Sequence, residues 1–433
     1  MSTTLLAAEQ LLSKELGDYW SSTTTGAGST TTLVDSALLA KANDWITDET
    51  YAFLIEEPTG DAAIYDERKV SSLDNTTGTL TTLAFAGAPG TGIDYELHRQ
   101  FTPSEKRRAL VAAAKKIFPA CFQEIWDETQ ISGNWLRDGS LERWTTSTDL
   151  TNWTDTTVTT TQTSTSLYYK HGAYSCKLSG AIGNIAQAIT DFDDLKHLAG
   201  KSVTFTVQGW SDTASCLRLG IYDGTTYTYS SYHDGDSAWT EHNDPLSVTA
   251  VIKDNPTAIT FYIYHDVATT ATSYVDDARV ISGDRSRLYI GHMGFAQNRP
   301  HRVYIEPSDY SQEEPWYMVR DWLVDKDGYL YLPASTASDY RLRLRGIGYL
   351  DFLVSGVSST AWTATIALDS PQIEILAAEA ALYLYTTMSM PNYEAGTRAA
   401  YQQMIPYWEA ESAKRKAQFG MLAPGTAIHW GGG

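Results

Sequence analysis

Cysteine is scarce, with three in 433 residues. Cys121, Cys176 and Cys216 form no CxxC pair and no zinc-type spacing, which argues against a disulfide-stapled or thiolate-metal scaffold. Cys176 and Cys216 facing each other across a sandwich is the alternative to buried free thiols in a chain folded in a reducing cytoplasm. Basic residues are also few: 32 Lys and Arg stand against 52 Asp and Glu, a net charge of −20. Such a surface repels phosphate backbones and anionic lipid, so no membrane and no sequence-specific nucleic acid is expected as a partner. DNA sliding through a channel is compatible with it. No apolar run approaches the roughly 18 residues that cross a bilayer. The opening residues Met1 to Leu6 lack the basic region and apolar core of a secretory signal. Catalytic signatures are missing as well: there is no GxSxG, HExxH or GxxxxGK[ST], and the glycine-rich stretch Gly87 to Gly92 has no Lys-Ser/Thr after it. The polar cluster Tyr232-His233-Asp234-Gly235-Asp236 reads as a loop, and no enzyme is expected.

What is present is a globular composition, 42% hydrophobic and 19% charged. The length suits about two to four domains. The reading is an α+β multidomain chain, a helical host with small antiparallel β units, interrupted by an all-β jelly-roll sandwich. Residues 1–30 form an N-terminal arm and linker. Residues 31–137 and 283–433 form the discontinuous host, and residues 138–282, rich in Thr, Tyr and Asp, form the insert. Thr102-Pro103-Ser104-Glu105 is a capping box with proline at the first helical position. The apolar spacing from Leu110 to Trp126 extends that helix over 103–129, with a kink at Pro119. Further helices are expected over 371–389 and 393–419, followed by a C-terminal arm, 421–433. In that arm Ile428, His429 and Trp430 suit docking on a partner. The alternation Arg341-Leu342-Arg343-Leu344-Arg345 puts Arg341, Arg343 and Arg345 on one strand face. They either protect an exposed edge or dock an acidic neighbour.

Four passages of the insert resemble the jelly-roll carbohydrate-binding modules, in that family's order. Asp138-Gly139-Ser140-Leu141-Glu142-Arg143-Trp144 is similar to the opening strand, and His171 to Leu178 to its G-x-Y-S-L-K-L passage. Leu198 to Val207 is similar to L-x-G-K-x-Y-T-F, and Tyr274-Val275-Asp276-Asp277-Ala278-Arg279-Val280 to the closing strand. The resemblance implies a structural Ca2+ on Glu142 with Asp276 or Asp277, chemistry that suits an oxygen-seeking cation. It also implies glycan binding, which needs exposed aromatic rings. The candidates are Trp153, Tyr168, Tyr169, Tyr227, Tyr229, Tyr232 and Trp239, while Trp144, Trp210 and Tyr222 are read as core.

The flanks resemble head-to-tail adaptors (connectors) of tailed bacteriophages. The passages are Arg68 to Asp74 with Asp94 to Arg99, the helix pair, and the basic-ended last helix with its tail. This implies a virion protein of the neck, made in the host cytoplasm. It would be a homo-oligomeric ring, twelve-fold by resemblance, between portal protein and tail or neck proteins. The alternative is a tail-tip or fibre protein that recognises host surface polysaccharide.

Overall fold

The computed structural model describes every residue except 1, 48, 57–63, 242–243, 269–270, 284, 308–314, 355, 389–394 and 424–433. It divides into two compact units, residues 1–123 with 349–423, and residues 124–348. The docking candidates Ile428, His429 and Trp430 lie outside the described residues.

The helical host is corrected by the strand content. Among the described residues there are twenty-eight strands and five α-helices: α1 (Leu5–Glu15), α2 (Pro103–Lys116), α3 (Phe192–Leu198), α4 (Ile373–Met388) and α5 (Ala395–Phe419). The capping box of α2 forms as expected, Thr102 and Glu105 each satisfying the other's backbone N–H. The helix stops at Lys116, however, and does not run to 129; Gln123–Ile131 is a strand. Pro119 removes a donor and blocks the turn before it, and the segment beyond finds strand partners instead. No helix among the described residues is long and apolar enough to cross a membrane.

In the first unit α1, α2, α4 and α5 share an apolar core that includes Leu12, Leu110, Leu376 and Trp408. A seven-stranded antiparallel sheet, running from Trp20–Thr23 to Gly26–Ser29, carries a second core around Leu33, Leu54, Leu80 and Tyr95. Between α1, α2 and the strand Asp94–His98 lies a buried polar knot. Lys106 Nζ stands 3.0 Å from Asp18 Oδ2, 3.7 Å from Glu9 Oε1 and 2.8 Å from both Ser13 Oγ and His98 Nδ1. Burial, the larger cause, and Lys106 beside it hold His98 down to about 4.

The second unit is built on a β-sandwich. Its strands are β1 (Thr154–Thr163), β2 (Ser175–Ile189), β3 (Ser202–Ser211), β4 (Leu217–Tyr222), β5 (Tyr227–Tyr229), β6 (Leu246–Val251), β7 (Ile259–His265) and β8 (Thr272–Ile281). Their order is β5-β4-β7-β2-β8-β3-β6, all antiparallel, with β1 along β2. The long β2 serves both layers. Its first half pairs β8 through Cys176 to Ser179, and its second half pairs β7 through Gly183 to Ile189. The turn from one layer to the next falls at Gly180, whose φ of +87° suits glycine. Inward residues such as Ile185, Phe205, Leu219, Phe261 and Val280 alternate with outward ones and fill the core. All three cysteines of the chain are buried and free.

Among the described residues, three smaller sheets complete this unit, the smallest a hairpin of Trp144–Thr146 with Asp149–Leu150. The other two are larger. One joins Arg287–Tyr289, Tyr329–Tyr331 and Leu323–Val324; the other orders Tyr317–Met318, Arg302–Ile305, Arg341–Gly348 and Gln123–Ile131. Leu288, Val303, Leu330, Leu342 and Leu344 form the core beneath them.

Candidate functional site

Strand alternation builds an aromatic face on the sandwich. In Ile259-Thr260-Phe261-Tyr262-Ile263-Tyr264, the apolar residues Ile259, Phe261 and Ile263 point inward, so Thr260, Tyr262 and Tyr264 point out. On β4 the same rule buries Leu217, Leu219 and Ile221 and turns Arg218, Gly220 and Tyr222 outward. Register brings these together: Tyr222 pairs with Tyr227 and Thr260, Gly220 with Tyr229 and Tyr262, and Arg218 with Tyr264. The result is a run of five tyrosines over three strands. Ring centroids are 4.2 Å apart for Tyr222 and Tyr227, 5.9 Å for Tyr227 and Tyr229, 5.8 Å for Tyr229 and Tyr264, and 5.3 Å for Tyr262 and Tyr264. Tyr227 and Tyr229 remain 46% and 44% exposed, so the stacked rings present apolar surface to water. Gly220 is the floor of this face: a Cβ there would lie 2.8 Å from the Tyr264 ring.

Polar groups border the rings. The Arg218 guanidinium lies 4.4 Å from the Tyr229 centroid and 4.8 Å from that of Tyr232, and its Nε is 2.7 Å from Asp266 Oδ2. The Tyr232 hydroxyl donates to the same Asp266 oxygen at 2.8 Å. Burial and neighbouring phenols raise Tyr227 and Tyr264, which therefore stay neutral donors near neutrality.

The seven aromatic candidates separate accordingly. Tyr227, Tyr229 and Tyr232 belong to this face. Tyr168 stacks on Tyr274 at 4.1 Å with Trp210 edge-on, and the Trp239 indole donates to Leu167 O; this group covers the other layer. Tyr169 is half-buried beside it. Trp153 is not at the surface. It is 5% exposed in the sandwich core, its indole N–H donating to Asp138 O, so it is corrected to a packing residue. Tyr222 and Trp210, read as core, point outward from their strands instead. Tyr262, Tyr264 and Arg218 were not singled out from sequence, although the alternation of β7 writes two of them plainly.

The three carboxylates named for a cation also divide. Glu142 Oε1 accepts from Ala173 N and Tyr174 N at 2.9 and 3.0 Å, and Asp276 Oδ2 accepts from Lys170 N and His171 N at 2.7 and 3.0 Å. Together they fasten the 170–174 loop. Burial pushes Glu142 up to about 7, and burial with the Asp277 charge raises Asp276 well above the usual carboxylate range. Among the described residues both carboxylates are held by backbone N–H groups and neither forms an ion pair. Asp277 does: it is clasped by Arg279, and burial, the largest single influence, is outweighed only by the charge and hydrogen bonds of Arg279 together with the charges of His171 and Arg341, which leave the carboxyl below its ordinary value.

The arginine row lies on one face of Arg341–Gly348 as alternation requires, with Leu342 and Leu344 fully buried behind it. The strand is interior to its sheet, not an edge. The row is engaged within the unit: Arg341 meets His171, Arg343 Nε donates to Glu128 Oε1 at 2.7 Å, and Arg345 stands 3.8 Å from Glu124.

No protein-family model matches the chain, and no curated protein does. Solved structures match part of it. The carbohydrate-binding module TmCBM61, in complex with beta-1,4-galactotriose, covers 35% of this chain and 100% of its own at 14% identity and TM-score 0.28. The enzymatically active domain of bacteriophage CBA120 tailspike protein 4 covers 35% of this chain and 22% of its own, at 13% identity and TM-score 0.26. A xylan-binding domain of Paenibacillus barcinonensis covers 37% and 97%, at 14% and 0.26. At these values the likenesses transfer neither ligand nor activity to this chain.

Proposed function

We propose that this chain is a glycan-binding protein of a tailed-phage virion, and that its sandwich recognises host surface polysaccharide. The observation that carries the binding reading is the exposed five-tyrosine face of β4, β5 and β7. Pyranose rings bury their C–H faces on aromatic planes, and the Arg218–Asp266–Tyr232 group supplies donors and an acceptor for hydroxyls. Phage membership rests on the sequence passages of the flanks. The recognition role is preferred to the neck adaptor because the arginines named for docking are engaged inside their own unit.

Binding is proposed here, not hydrolysis. Glycosidic cleavage asks for two carboxylates flanking the bond. At this face Asp266 is held by Arg218 and Tyr232. A Ca2+ on Glu142 and Asp276 would hold the 170–174 loop and neutralise the pair, a structural task away from the tyrosines.

The test is a glycan array with the whole chain, followed by titration calorimetry. Tyr262→Ala and Tyr229→Ala are expected to weaken binding by about tenfold or more each, since a base- or sugar-sized aromatic stack contributes on the order of 1–3 kcal/mol. Affinity unchanged in both variants, with folding intact, would refute the face as the binding site.

A further inference from the structure

The outer surface of the β7 layer does not end at the tyrosines. Tyr262 pairs with Ala186 and Thr260 with Ala188 on β2, and both alanines line a cavity of about 530 Å³ within the second unit. That volume lies in the range of small-molecule sites. Its far wall is built from outside the sandwich strands, by Arg137, Arg285, Tyr289 and Tyr329.

The charged groups lining this cavity are even in number, two arginines against two aspartates, but they are not paired one to one. Its two carboxylates are already taken: Asp194 contacts Arg287 and stands 3.5 Å from Arg285 Nη1, and Asp191 caps α3 and stands 3.5 Å from Arg287. Both aspartates are therefore engaged by Arg285 and by Arg287, which lies outside the lining. Arg137 is left over. It is exposed, donates through Nη2 to the Tyr329 hydroxyl at 2.7 Å, and lies 4.7 Å from the Tyr289 centroid, with no carboxylate partner among the described residues. One buried donor atom lining the same cavity, Asn152 Nδ2, has no hydrogen-bond acceptor. A buried donor without an acceptor costs about 1–3 kcal/mol, so the site suits a ligand that brings acceptor oxygens, and Arg137 is the cation free to meet a charged one.

We propose that this cavity takes the carboxylate of a uronic-acid residue, so that the polysaccharide recognised is an acidic one. The inference rests on the glycan-binding reading of the tyrosine face and names its substrate class. The chain would cross from the tyrosines over Ala186 and Ala188, and the acidic sugar would meet Arg137 as a charge-assisted pair. Arg137 is here a specificity-determining residue. The overall charge of −20 opposes acidic polymers at long range, which makes the local guanidinium the term that decides.

The experiment compares polygalacturonate, alginate and hyaluronate, each with its carboxyl-reduced neutral counterpart, by titration calorimetry on the full chain at fixed ionic strength. At least one acidic polymer is expected to bind about tenfold more tightly than its reduced form, one charge-assisted hydrogen bond being worth about that factor. Arg137→Gln is expected to bring that ratio to about one, and Arg137→Lys to retain part of it. Thermal midpoints of both variants confirm folding. Reduced polymers binding as well as acidic ones, or a ratio that survives Arg137→Gln, would overturn the inference while leaving the tyrosine face standing. Absence of binding to every polymer, with binding to other glycans on the array, would overturn the acidic specificity alone; absence on the array too would remove both.

Discussion

Glu142 offers a test of the buried carboxylate pair that needs no ligand. Burial lifts its carboxyl from an ordinary 4.5 to about 7, against the two backbone N–H groups of Ala173 and Tyr174 that favour the charge. The folded chain therefore holds a proton that the unfolded chain has already released. The contribution to stability is whole below pH 4.5, falls as pH rises, and is lost once pH passes about 7. A shift of this size corresponds to about 3 kcal/mol, at 1.36 kcal/mol per unit. Glu142→Gln removes the titration but keeps a side-chain oxygen that can accept from the same N–H groups. Urea unfolding of both proteins in chelator, from about pH 4 to about pH 8, should show the variant gaining on the wild type by about 3 kcal/mol across that window. A gap between the two curves that stays constant with pH would show that Glu142 ionises freely in the fold, and the reasoning would fail.

Calcium should reverse the sign for the wild type. With both carboxylates ionised around a cation, added Ca2+ is expected to raise the thermal midpoint, and more at about pH 8 than at about pH 5. Equal shifts at both pH values, or none, would exclude Glu142 and Asp276 as its ligands. In the first unit, Lys106→Met leaves Asp18 and Glu9 buried without their cation and should destabilise by about 3–5 kcal/mol, read from urea midpoints. Trp153→Ala should cost about 3–5 kcal/mol as a core truncation. Glycan affinity of the fraction still folded should match the wild type, and a selective loss of affinity at unchanged stability would restore Trp153 to the surface.

Local signals were legible and non-local ones were not. The capping box at Thr102 announces α2 because its two hydrogen bonds lie within four residues. The end of α2 was misplaced because Phe122, Ile125 and Trp126 keep a helical spacing while belonging to, or bordering, the strand Gln123–Ile131. Spacing alone does not distinguish the two, and the partner strand that settles it, Arg341–Gly348, is some two hundred residues away. The same holds for the weight of β structure in the flanks. Short strands gain their stability from pairing, which no single segment displays.

The aromatic site was half legible. Tyr227, Tyr229 and Tyr232 stand out in a polar stretch and do lie at the tyrosine face. Trp153 stands out equally, among Thr151, Asn152 and Thr154, yet its indole turns inward to a backbone carbonyl. Tyr262 and Tyr264 were overlooked because their strand is apolar on average, and only its alternation separates the face from the core. Tyr222 was assigned to the core for that same reason. The cavity at Arg137 was beyond sequence reading, since its walls come from segments more than a hundred residues apart.

The strand that leads into the second unit, Gln123–Ile131, and the strand that leads out, Arg341–Gly348, are hydrogen-bonded neighbours. Ile125 packs where a side chain on Gly348 would sit, so the two ends of this 225-residue excursion leave side by side, about 5 Å apart as adjacent strands are. The points where the chain enters and leaves this unit therefore lie one interstrand gap apart. A recombination event that replaces everything between those two points has only one interstrand gap to match.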